Sequence, residues 1–177
     1  DGGDAVMLSA ESAVGEHPVE AVGMMDRIAI RVESDPLYRT IIDADKPEPE
    51  ATSADAITAA AAQTAHTLGA SVIASFSATG STSLRASRER PTVPILGLTP
   101  RLETARRLAL AWGVHNVLTD EADRFAVMVD MAVEIALRDG FAKIDDRLVI
   151  VAGIPFGTPG ATNVLRVAQA QDPNSKP

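Results

Sequence analysis

Four short apolar runs constrain this 177-residue chain more than any other feature. They occupy residues 72–76, 93–98, 114–118 and 147–152, are rich in Val, Ile and Leu, and are bounded by turn-forming residues. Runs of this length and composition read as buried strands. The intervening stretches are long enough for helical crossovers and so predict parallel pairing. Before the first run, Thr52 or Ser53 caps an Ala-rich helix from Ala54 to Leu68, closed by Gly69. Helices are also expected around Leu84, Arg85 and Arg88 (stopped by Pro91), from Arg101 to Trp112 (stopped by Gly113), and from Asp120 or Glu121 to Asp139 (closed by Gly140). Val127, Met131 and Ile135 form the core stripe of the last helix. A fifth strand, Ala161 to Val167, follows the fourth directly and predicts an antiparallel hairpin. The order α-β-α-β-α-β-α-β-β specifies an α/β domain.

The first strand leads into Ser77-Ala78-Thr79-Gly80-Ser81-Thr82-Ser83, in which five of seven residues carry hydroxyls. A strand, a hydroxyl-rich loop and a helix start make a physical anion site. The first N–H groups of the helix lack internal partners, and the helix dipole adds partial positive charge. Arg85, Arg88 and Arg90 lie just beyond in sequence. The same residues also fit an ordinary capped βα loop with a solvated basic helix.

Upstream, Asp4 to Leu8 is a short strand candidate, followed by a polar loop from Ser9. Pro18 suits the first position of a helix whose apolar stripe is Val19, Val22, Met25, Ile28, Ala29 and Val32. Ser9 and Glu11 either contribute to a site at the carboxyl end of the strand, where α/β barrels place theirs, or only cap the loop. One strand and one helix cannot bury their own apolar faces. The helix is therefore expected to pack on something outside residues 1–35, and the chain reads as the C-terminal part of a larger protein. Residues 36–51 are the connector, and the acidic, Pro-punctuated stretch 43–50 reads as extended.

Composition removes several classes of function. The net charge of −8 comes from residues 1–50, with 12 acidic and 4 basic side chains, since residues 51–177 hold 12 of each. No basic stripe points to nucleic acid. No apolar run reaches 18 residues, so no membrane span is expected, and no basic n-region marks a secretory signal. The absence of cysteine excludes disulfides and thiolate metal sites and fits a reducing, cytoplasmic setting. His17, His66 and His115 have no metal-ligand spacing.

The ordered series Asp1-Gly2, Asp4, Met7-Leu8-Ser9, Glu11-Ser12-Ala13, Gly15 and Pro18-Val19-Glu20-Ala21-Val22 resembles the last βα unit of the catalytic barrel of pyruvate kinases. The resemblance continues through Pro94 to Thr99, Thr104-Ala105-Arg106, and the Gly-rich stretch Gly153 and Gly157 to Asn163. It covers residues 1–168. It implies four segments: the last barrel unit at 1–35, a linker at 36–51, the three-layer regulatory α/β domain at 52–168, and a frayed tail at 169–177. The implied domain has a mostly parallel five-stranded sheet with its last strand antiparallel.

The resemblance implies transfer of a phosphoryl group from phosphoenolpyruvate to ADP, with Mg²⁺ or Mn²⁺ and K⁺ as cofactors of the full-length enzyme. It also implies a homotetramer. The family's essential lysine, metal ligands and phosphate-binding arginine lie on earlier barrel strands. Only Ser9 and Glu11 match positions at the active-site edge, and Val14 stands where many relatives have Lys. The isolated chain is thus expected to bind no cofactor metal and to lack kinase activity. In relatives with a sugar-phosphate effector, the loop matching Ser77 to Thr82 grips a phosphate and the Gly-rich loop closes over it. Carried over, the effector site is Ser77, Thr79, Gly80, Ser81, Thr82, Gly157, Thr158 and Gly160. Relatives that bind fructose 1,6-bisphosphate often carry Lys and Arg where Ala78 and Ser81 stand here. Losing two charge-assisted contacts favours AMP or a sugar monophosphate over the bisphosphate. The alternatives are a vestigial site, a free-standing phosphometabolite-binding module, or a purely structural oligomerisation domain.

Overall fold

The computed structural model describes residues 2–46, 48–155, 158 and 160–171. The chain divides into two compact units, residues 1–48 and 49–177.

The first unit is helical: α1 (Ala10–Ala13), α2 (Pro18–Glu33) and α3 (Pro36–Ala44). Pro18 takes the first turn of α2, as expected. The candidate strand at 4–8 is not a strand. A strand exists only by pairing, and these residues join no sheet among the described residues. Within the expected connector, residues 36–44 form a helix. Asp35 caps α3 by accepting from the Leu37 N–H at 2.9 Å, and Pro36 fills its first turn. Along α2 the apolar stripe stays in the open, with Val19 at 78% and Ile28 at 55% exposure.

The second unit is an α/β sandwich. Helix α4 (Ser53–Leu68) precedes β1 (Val72–Phe76), α5 (Ser81–Arg88), β2 (Ile95–Thr99), α6 (Leu102–Leu108), β3 (Val114–Leu118), α7 (Phe125–Arg138), β4 (Arg147–Gly153) and β5 (Thr162–Gln169). The sheet order is β3-β2-β1-β4-β5. All neighbours are parallel except the β4–β5 hairpin. Thr52 caps α4 through the Asp55 N–H, and Gly69 closes it in the left-handed conformation. Strand β5 continues to Gln169, and Ala170 is fully buried, so the ordered pattern runs past the expected boundary at 168.

Alternation along the strands sorts the two faces. Val72, Ala74, Leu96, Leu98, Leu148 and Ile150 meet Val129, Ala132, Ile135 and Ala136 of α7. Ile73, Val149 and Val151 meet Ala61 and Ala65 of α4, whose small side chains let the helix lie close to the sheet. Ser75 faces the same side and shares a 2.9 Å hydrogen bond with Ser83 of α5. Helix α6 is on that side too, with Leu108 against Gly97. Helices leaving β1 and β2 thus cover one face, while α7, entering β4, covers the other. The connections diverge at the boundary between β1 and β4, and the crevice at the carboxyl end of such a boundary is where open α/β sheets place ligands.

Candidate functional site

A cleft of about 420 Å³ opens at the carboxyl ends of the strands in the second unit. Its walls come from Phe76 to Thr82 after β1, Leu98 to Arg101 after β2, Thr119 to Asp123 after β3, and the β4–β5 hairpin.

The loop 77–80 forms because β1 ends while α5 must start on the α4 face of the sheet. Gly80 makes the turn at φ +80° and caps α5. Its carbonyl accepts the Leu84 N–H at 3.0 Å, the first bond of the helix. Among the described residues, no acceptor is hydrogen-bonded to the N–H groups of residues 78–83. An ordinary helix leaves about four such donors at its start. Here the run is lengthened by the loop before the helix.

The sequence-predicted site residues fall into three groups. Ser77, Thr79, Ser81 and Thr82 line the cleft, as do Thr158 and Gly160 on the hairpin. Gly80 supplies the turn. Gly157 lies outside the described residues. The Thr79 hydroxyl donates to Ser81 Oγ at 3.2 Å, and both residues are half-buried. Thr82 is buried, and its Oγ1 lies 2.7 Å from Thr162 Oγ1, linking the start of α5 to the start of β5. Across the hairpin the Asn163 side chain brackets Ile154, accepting from its N–H at 2.9 Å and donating to its carbonyl at 2.6 Å. Gly153 is needed there, because a Cβ would stand 2.6 Å from the Ala161 carbonyl oxygen.

The arginines that follow the loop in sequence do not join it. Arg85 Nε meets Asp55 Oδ1 at 2.8 Å, and Arg88 Nη2 meets Oδ2 at 2.5 Å. Asp55 is fully buried on α4 and also accepts the Glu50 N–H at 2.8 Å. The Arg88 hydrogen bond holds the Asp55 carboxyl below its ordinary value against the opposing push of burial, with the Glu50 N–H and Arg85 assisting. Arg90 stacks over the Trp112 ring at 4.9 Å.

The sequence reading missed the rest of the cleft wall. Helix α7 starts at Phe125 rather than at Asp120 or Glu121, so Asp120, Glu121 and Asp123 stay in a loop and line the cleft. Arg101 is the basic residue of the lining. The acidic run was visible in sequence, but it reads equally well as a helix start. Two residues behind the loop were missed as well. Thr104 Oγ1 donates to the Ala78 carbonyl at 2.9 Å, and Arg107 Nη2 donates to the Thr79 carbonyl.

In the first unit, Ser9 and Glu11 are exposed. The Ser9 N–H donates to Glu11 Oε2 at 3.1 Å. Hydrogen bonds from the Glu11 and Ser9 N–H groups hold the Glu11 carboxyl below its ordinary value. Among the described residues, no group of three or more His, Cys, Asp or Glu is placed to hold a metal ion. No described helix is long and apolar enough to cross a membrane.

Residues 55–168 match the family model for the pyruvate kinase alpha/beta domain. A pyruvate kinase of Methylorubrum extorquens is 52% identical over 168 residues, covering 95% of this chain and 35% of the relative. One from Geobacillus stearothermophilus is 40% identical over 172 residues, covering 97% of this chain and 29% of the relative. The crystal structure of a Cryptosporidium parvum pyruvate kinase superposes with a TM-score of 0.82 at 27% identity, over 93% of this chain and 32% of that one. The chain spans about a third of the length of the curated relatives it matches.

Proposed function

The chain belongs to the pyruvate kinase family, and from that premise we propose that it is the C-terminal, regulatory part of a kinase that passes a phosphoryl group from phosphoenolpyruvate to ADP. Its own task is to bind a phosphorylated small-molecule effector in the cleft at the carboxyl ends of β1 and β4. The observation that carries this reading is the run of N–H groups at residues 78–83, free of protein acceptors among the described residues and fronted by the hydroxyls of Thr79 and Ser81. A tetrahedral anion with several acceptor oxygens fits such a run, and the α5 dipole adds to the attraction.

The effector is a monophosphate. Ala78 and Ser81 bring no charge to the loop, and the far wall carries Asp120, Glu121 and Asp123 against Arg101. A second phosphate would meet like charge. A ribose or hexose hydroxyl, or an exocyclic amine, would find acceptors there. AMP and sugar monophosphates therefore fit better than fructose 1,6-bisphosphate.

Ser9 and Glu11 belong to the edge of the catalytic site of the whole enzyme, and this chain alone does not turn over substrate. The Mg²⁺ or Mn²⁺ and K⁺ of the reaction are held by other parts of the whole enzyme. Assembly as a homotetramer and a cytoplasmic setting follow from the family alone.

Calorimetric titration with AMP, ribose 5-phosphate, glucose 6-phosphate and fructose 1,6-bisphosphate tests the reading. Micromolar binding of a monophosphate is expected, weakened at least about tenfold by Ser81→Asp, which sets a carboxylate against the phosphate. Absence of binding, or binding indifferent to Ser81→Asp, would leave a structural or oligomerising role.

A further inference from the structure

The loop 77–80 is held from behind by two residues of α6 spaced three apart, on one face of that helix. Thr104 Oγ1 donates to the Ala78 carbonyl at 2.9 Å, and Arg107 Nη2 donates to the Thr79 carbonyl. The contact is close. A Cβ on Gly80 would lie 3.0 Å from Thr104 Cγ2 and 3.4 Å from Arg107 Nη2. Neither Thr104 nor Arg107 lines the cleft, whereas Ala78, Thr79 and Ser81 do. The start of α6 at Arg101 reaches the cleft wall, while Thr104 and Arg107 further along the helix meet the loop at its carbonyls.

Peptide planarity turns this into a statement about the cleft. In a trans peptide the C=O and the following N–H point in opposite directions. Fixing the Ala78 carbonyl toward α6 aims the Thr79 N–H away from α6. Fixing the Thr79 carbonyl does the same for the Gly80 N–H. Both N–H groups lack an acceptor among the described residues.

We infer that Thr104 and Arg107 are positioning residues that set the two peptide planes of the anion loop, so that the Thr79 and Gly80 N–H groups join the free donors of α5 before a ligand arrives. Arg107 is thus an arginine that reads the loop and not the phosphate. It raises affinity by pre-organising donors that would otherwise have to reorient on binding. Its cationic hydrogen bond to a loop carbonyl also polarises the peptide whose N–H faces the anion. The inference rests on reading residues 77–82 as an anion site.

The test is titration of the isotopically labelled full chain with inorganic phosphate, followed through backbone amide resonances, in the wild type and in Thr104→Val and Arg107→Gln. In the wild type the amides of residues 79–83 should shift together. Thr104→Val should weaken phosphate binding about fivefold, the loss of one hydrogen bond, and should reduce the response of the Thr79 amide first. Arg107→Gln should weaken it by a similar factor and reduce the response of the Gly80 amide first. The salt dependence of binding should change only slightly, because the guanidinium acts on the loop carbonyl rather than on the anion. Thr104→Ser keeps the hydroxyl and should restore wild-type behaviour. Wild-type affinity and unchanged amide responses in both variants would overturn the inference while leaving the anion site in place. A salt dependence in Arg107→Gln reduced as strongly as by Ser81→Asp would overturn it too, by making Arg107 a direct ligand contact. If Thr104→Val does not fold, Arg107→Gln decides, because Arg107 is exposed. No phosphate response at residues 78–83 of the wild type would instead remove the site itself.

Discussion

The two ends of α5 are built on opposite terms. At its start stand Gly80, Ser81 and Thr82, without formal charge and with N–H groups that meet no acceptor among the described residues. At its end stand Arg85 and Arg88, both clamped on the buried carboxylate of Asp55. Eight residues of helix are about 12 Å long, and that length separates two tasks. The rear end anchors α5 to α4 with charge. The front end meets the solvent-filled cleft with dipoles. Charges close to a loop in sequence are not thereby charges in its site.

The largest effect should come from cutting the rear anchor. Removing one partner of a buried ion pair costs about 3–5 kcal/mol. Arg85 and Arg88 are 30% and 33% exposed and can rehydrate, so Asp55→Asn should destabilise the second unit by about 3 kcal/mol in urea denaturation. Phosphate affinity per folded molecule should change much less. The Asp55 carboxyl titrates below its unfolded value of about 3.9. Its contribution to stability is therefore complete above that value and is lost as the pH falls through the lower folded value. Denaturation below about pH 4 should be steeper in the wild type than in Asp55→Asn. Equal slopes would mean that another carboxylate carries the acid sensitivity.

The next effect tests the front end. Gly80 sits at φ +80° with Thr104 Cγ2 3.0 Å from its absent Cβ, whereas Gly69 sits at φ +59° with nothing within 4 Å. Gly69→Ala should cost about 1 kcal/mol of backbone strain. Gly80→Ala should cost about 2 kcal/mol and also abolish phosphate binding, because the loop must move away from α6. If the two substitutions proved equal in stability and neutral in binding, the close seat of the loop on α6 would not matter to the site.

Much of this was legible in the chain itself. The apolar runs located four strands, and 72–76 and 114–118 matched at both ends; β1 and β2, each with parallel neighbours on both sides, write their burial as nearly continuous stretches. The caps of α4 were equally plain. Other features depended on partners that sequence does not display. Residues 4–8 look like a strand in composition but join no sheet among the described residues. Helix α3 carried its own start signal, Asp35-Pro36, yet the acids and prolines downstream outweighed it. The hydroxyls of the loop were visible. The fates of Arg85, Arg88 and Arg107 were not, because their partners are Asp55 and the Thr79 carbonyl, about 30 residues away.

The smallest expected effect bears most directly on why the front end has no charge. Ala78→Lys combined with Ser81→Arg would place two cations beside the free N–H run, on side chains that already line the cleft. Charge-assisted hydrogen bonds are about twice as strong as neutral ones. The double variant should therefore raise affinity for fructose 1,6-bisphosphate about tenfold relative to AMP at low ionic strength, and the gain should shrink as salt is added. Stability should hardly move, since both residues are half-buried at the mouth of the cleft rather than in the core. The carboxylates Asp120, Glu121 and Asp123 limit the gain, because they line the same cleft that a second phosphate would enter. Neutralising Asp120 and Glu121 in the same background should then add a further few-fold preference for the bisphosphate. A double variant that gained equally for both ligands would show that the added cations serve the first phosphate alone. The preference for monophosphates would then come from the acidic wall, not from the loop.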